Sequence, residues 1–86
     1  MHTVELLEQA LSAARALGYQ VRQDFLGGAG GGACEIKGQK WLFLDLAQDP
    51  RDHLDQVLDA LRHEPAAETL ALPATLQPLI RYRKSA

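Results

Sequence analysis

The sequence predicts an α+β fold: a two-layer sandwich in which long helices cover one face of a three-stranded antiparallel meander. Three observations predict it. Apolar residues recur at helical spacing in two long segments, one near the start and one past the middle. Between them lie three segments of strand character. These strands follow one another directly, and consecutive strands favour antiparallel neighbours. The order is α-β-β-β-α with a short C-terminal helix, and residues 1–86 suit a single small domain.

The first helix is expected over residues 4–17. Val4, Leu7, Leu11, Ala14 and Leu17 form one apolar stripe. Thr3 is positioned as N-cap, Glu5 and Glu8 suit the positive end of the helix dipole, and Gly18 supplies the stop. Tyr19 to Phe25 then alternates, with Tyr19, Val21 and Phe25 on one side and Gln20, Arg22 and Asp24 on the other. Five glycines in the six residues Gly27–Gly32 exclude a helix or strand interior, so this segment is a loop or wide turn.

Ala33–Lys37 and Lys40–Leu46 read as the arms of a hairpin around Gly38-Gln39. A three-residue loop sets Ile36 opposite Leu42 and Cys34 opposite Leu44. That register gathers Cys34, Ile36, Leu42, Leu44 and Leu46 on one face, with Glu35, Lys37, Trp41, Phe43 and Asp45 on the other. It is preferred over a two-residue loop, which would oppose Lys37 and Lys40, because a one-residue slip turns every side chain over. Asp49 then caps the second long helix, with Pro50 at its first position and Leu54, Val57, Leu58 and Leu61 as its buried stripe. Pro65 ends it. A short third helix begins after Thr75, carrying Leu76, Leu79 and Ile80 and tolerating Pro78 in its first turn.

Composition narrows the function classes. The chain is 47% hydrophobic and 23% charged, with a formal net charge of −2, so it is neither disordered nor basic enough to suggest nucleic acid. No apolar run reaches membrane-spanning length, and the N-terminus has no signal-peptide core. A single cysteine precludes a disulfide within one chain and, with the missing signal, suggests a cytoplasmic home.

Several segments invite a chemical reading. Gly28, Gly30 and Ala33 formally fit a dinucleotide fingerprint, but a strand follows where the pyrophosphate needs a helix N-terminus. Glycine also lets a ligand or second backbone approach closely, so Gly28, Gly30, Gly31 and Gly32 are candidate binding residues lining a groove. The loop amides would suit an anion. Cys34 is expected in the core, where free cysteine is commonly found. The acids Asp45, Asp49, Asp52, Asp55 and Asp59 read as a solvated surface, since calcium-loop spacing is absent. The basic tail Arg81-Tyr82-Arg83-Lys84 complements a helix end or frays.

Trp41-Leu42-Phe43-Leu44-Asp45, an acidic-proline turn, and a helix running into His63-Glu64 resemble the core of small bacterial zincin-type metallopeptidase domains. In that family a helix carries His-Glu-x-x-His; two imidazoles hold zinc and the glutamate activates water. His63 and Glu64 match the first two positions, whereas Ala67 stands where the second histidine belongs and Pro65 breaks the helix. The resemblance, over residues 27–64, therefore implies a shared layout without activity. The helix, the turn Leu26–Cys34 and the Leu-Phe-Leu-Asp strand also resemble a group of short bacterial α+β proteins, which supports the domain limits and implies no mechanism.

Trp41 and Phe43 point away from the predicted helix layer. Two aromatics on an open sheet face call for cover, either from Leu76, Leu79 and Ile80 or from another chain. The function expected is a small interaction or binding module, non-catalytic and self-associating as a homodimer. Trp41, Phe43 and the glycine loop are its candidate site, with no metal, cofactor, nucleic acid or membrane. The alternatives are a degenerate zincin-like domain and a small-ligand or anion binder using Gly27–Gly32.

Overall fold

A computed structural model of the chain describes residues 2–28 and 31–81. Along the chain run α1 (Thr3–Ala16), β1 (Gln20–Asp24), β2 (Gly32–Ile36), β3 (Gln39–Asp45), α2 (Pro50–Arg62), a 3-10 helix at Pro65–Thr69, and α3 (Gln77–Arg81). The fold is α+β, but its sheet is not a meander. Strand order is β1-β3-β2, with β3 in the middle. β1 runs parallel to β3, with Val21 beside Leu42 and Gln23 beside Leu44, whereas β2 runs antiparallel to it.

The physical reason lies in the connection from β1 to β2, a crossover that leaves one edge of the sheet and enters at the other. Gly27 and Gly28 hold positive φ in this crossover. At Gly31 the constraint is space: a Cβ would sit 1.8 Å from the carbonyl oxygen of Phe43, so only glycine passes. The fully buried Asp45 secures the same junction. Its Oδ1 accepts from the amides of Leu26 (3.1 Å) and Ala47 (2.9 Å). The Asp45 carbonyl accepts from His53 Nε2 at 2.6 Å, which fixes the proton on that nitrogen. Asp45 is thus a structural ligand of the crossover and no part of a solvated acidic face.

The hairpin register also differs from expectation. Lys37 and Gly38 form a two-residue turn, both at positive φ (51° and 78°), as a type I′ turn requires. Ile36 then faces Gln39, Cys34 faces Trp41 and Ala33 faces Leu42. Two loop residues thus stand where three were expected, and this change of parity turns Cys34 and Ile36 away from Leu42 and Leu44 and onto the face of Trp41.

Both long helices form, with local differences at the caps and at Val4, which was expected in the apolar stripe and is 53% exposed. His2 occupies the N-cap of α1 without a side-chain bond, so Thr3 is the first helical residue. Asp49 caps α2 in a reciprocal box with Asp52, and Pro50 is the first helical residue. Leu42 and Leu44 are 0% and 1% exposed, in one core with Leu11, Ala14, Val57, Leu58 and Leu61. Leu76 and Ile80 join this same core and Leu79 packs against it, so α3 covers the helical side, not Trp41 and Phe43.

Candidate functional site

Alternation along β3 puts Lys40, Leu42 and Leu44 on the core side, with Trp41 and Phe43 opposite. The Trp41 and Phe43 rings stack, centroids 5.7 Å apart and planes 13° apart, and both stay half-buried. Cross-strand partners frame them. Gln20 and Cys34 flank Trp41, while Arg22 and the side-chain-free Gly32 flank Phe43. Cys34 is exposed, which corrects its expected place in the core. Ile36 at the far end of β2 is 47% exposed. Arg22 and Asp24 pair at 3.8 Å along β1, so the polar margin of this face carries one charge of each sign. The result is a neutral, partly wet apolar platform.

The glycine segment lies at one end of this platform and divides by role. Gly28 and Gly32 hold positive φ, and Gly31 presses on the Phe43 carbonyl; Gly30 lies outside the described residues. Below the start of β2, a groove of about 300 Å³ is lined by Gly31, Gly32, Ala33, Asp55, Gln56 and Asp59. Gln56 Nε2 donates to Gln48 Oε1 at 2.7 Å, and Gln56 Oε1 is buried without a partner among the described residues. Two carboxylates on this wall repel an anion. The Leu26 amide, next to the loop, is taken by Asp45.

The residues matching the metallopeptidase pattern are placed apart. α2 ends at Arg62, and His63 is its C-cap, donating from Nδ1 to the Asp59 carbonyl at 2.8 Å. Glu64 lies beyond the helix and binds Lys40 Nζ at 2.7 Å, while its other oxygen accepts from the Ala66 amide. The Lys40 hydrogen bond holds the Glu64 carboxyl below its usual range, and the same bond raises Lys40. Lys40 also sits 5.4 Å from the centre of the Tyr19 ring, whose hydroxyl burial pushes upward. Ala67 is buried. Because Lys40 and Cys34 project from opposite sheet faces, Glu64 and Cys34 share no cleft. Among the described residues no three histidine, cysteine or carboxylate side chains are grouped to hold a metal. None of the described helices is long and apolar enough to cross a membrane. Of the basic tail, residues 82–84 lie outside the described residues.

Sequence reasoning missed Asp45, His53 and Gln56. Their only signal was a polar residue closing an apolar strand and two more on the inner side of an amphipathic helix. No family model matches the chain, and no curated protein or solved structure matches it significantly.

Proposed function

We propose that the protein is a small, non-catalytic interaction module of the cytoplasm, which self-associates and presents its open sheet face to a protein partner. The stacked, half-exposed Trp41–Phe43 pair carries this reading. Every described helix packs on the leucine side of the sheet, which leaves the aromatics without cover from the described chain. Tryptophan and other aromatics dominate the energetic centres of interfaces, and a neutral apolar patch with a thin polar margin has that anatomy. Support also comes from the neighbours: Cys34 and Ile36 extend the patch over β2 without adding charge.

The test is affinity isolation from the source cells with wild-type bait and with a Trp41→Ser, Phe43→Ser double variant, after thermal melts show both folded. A partner held by the first and lost by the second at matched bait levels supports the reading. Identical recoveries overturn it. A second reading, a small-ligand site in the groove beside Gly31, is favoured by the unpartnered Gln56 Oε1. The carboxylates there select a cationic ligand. Side-chain amide shifts of Gln56 on titration with a small amine test it.

A further inference from the structure

We propose that two copies of the chain join through their β2 edges, antiparallel and centred on Cys34, to make one six-stranded sheet. This rests on the self-association proposed above and names where the second copy binds.

Both outer strands have β3 on one side only, yet they differ in how they are guarded. β1 reads Gln-Val-Arg-Gln-Asp, with two charges in five residues, the kind of edge that resists pairing. β2 reads Gly-Ala-Cys-Glu-Ile, with one charge, and its residues from Ala33 to Ile36 are all exposed.

Hydrogen bonding restricts the register. The two-residue turn makes Ile36 and Gln39 the closing hydrogen-bonded pair, and such pairs alternate along the ladder. Ile36, Cys34 and Gly32 therefore direct their backbone groups to β3, leaving those of Ala33 and Glu35 aimed outward. A two-fold pairing must use these outward groups. Centring on Glu35 would oppose the two glutamates. Centring on Ala33 would match Glu35 with Gly31, outside the strand. Centring on Cys34 pairs all five residues and sets each Glu35 against an alanine. Within its own chain Glu35 faces Lys40, whose ammonium is bonded to Glu64.

Two consequences follow. The central Cys34 pair is of the non-hydrogen-bonded kind, with Cα atoms about 4.5 Å apart, within disulfide reach. The two-fold axis stands perpendicular to the sheet, so both Trp41–Phe43 pairs lie on one side of a continuous surface.

The experiment is sedimentation equilibrium of the full chain over a wide concentration range, followed by treatment with diamide. In the cross-link, two Cys34 thiols lose two protons and two electrons, which reduce diamide to its hydrazine as the S–S bond forms. We expect a reversible dimer whose native form yields a Cys34–Cys34 dimer on non-reducing gels, while urea-unfolded chain at equal concentration does not. Ala33→Pro removes an outward amide that serves no bond among the described residues and should give a monomer. Ala33→Glu, opposing Glu35 twice, should raise the dimer Kd roughly ten-fold and serves if the proline variant does not fold. A chain monomeric throughout, or a dimer that gives no Cys34 cross-link, overturns the pairing. A dimer without the Cys34 cross-link retires this edge alone, whereas a monomer retires the self-association with it and, given partner loss in the Trp41/Phe43 double variant, leaves the open face standing. A cross-linked dimer with unchanged partner recovery retires the face alone.

Discussion

Leu42 and Leu44 lie on one side of β3, Trp41 and Phe43 on the other, yet the leucines are dry and the larger aromatics are half wet. Size and hydrophobicity would rank them the other way. The difference is set by the helices: α1, α2, α3 and the 3-10 helix all contribute buried residues to the leucine side. The two sides teach that burial is allotted by topology, and that an apolar side chain left out of that allotment is evidence about what the molecule meets. Stability and binding should accordingly separate, one to each side.

The widest separation is expected at the core. Leu44→Ala should cost about 2–5 kcal/mol, the usual range for truncating a buried leucine, measured by urea unfolding. A loss near zero would break the comparison by showing that side to be loosely packed. Next comes the junction joining the two sides. Gly31→Ala must displace either the crossover or the Phe43 carbonyl and should cost about 1–3 kcal/mol, with Gly28→Ala as the companion that meets no atom and carries only the strain of its positive φ. On the open side, Trp41→Ser and Phe43→Ser should each change stability by about 1 kcal/mol or less. A larger loss would mean that these rings already serve the core.

The smallest effect concerns the rim of the leucine side, where Lys40 meets Glu64. Glu64 is lowered in the folded state from 4.5, so its stabilisation is present above that pH and fades as pH falls through the folded value. Lys40 is raised from 10.5, so its share is full below that pH and fades as pH rises through its folded value. The pair thus acts across the neutral range, and Glu64→Gln should flatten the acid limb of a melting-temperature profile. An unchanged limb would show the pair to be neutral for folding.

Much of this contrast was legible in the residues. The alternation of Trp41-Leu42-Phe43-Leu44 fixed both sides of β3, and Asp49-Pro50 located the start of α2. What was not legible was which strand stands in the middle. Side-chain alternation is the same for a central and an edge strand, and for parallel and antiparallel neighbours. A hint lay in the connection itself, since residues 25–31 exceed the two to five of a tight hairpin. Cys34 was misplaced for a smaller reason. Lys37 had to accept a positive φ, which a charged residue does less readily than the Gly38 beside it. With Lys37 and Gly38 as the whole loop, two residues stand where three were expected, and that change of parity set the thiol beside Trp41 instead of Leu44. Of the candidate site, Trp41 and Phe43 were placed on the open face by pattern alone, whereas Asp45 gave no sign of its three-way junction because two of its partners are backbone amides and the third, His53, lies on the next helix.

The central position of β3 has a consequence for biosynthesis. β1 and β2 emerge from the ribosome before it, and neither touches the other in the finished sheet. A nascent chain halted ahead of Trp41 holds two strands with no ladder to join, and a glycine tether whose anchor at Asp45 is still untranslated. No ladder of the sheet can therefore form until one short stretch of message has been read.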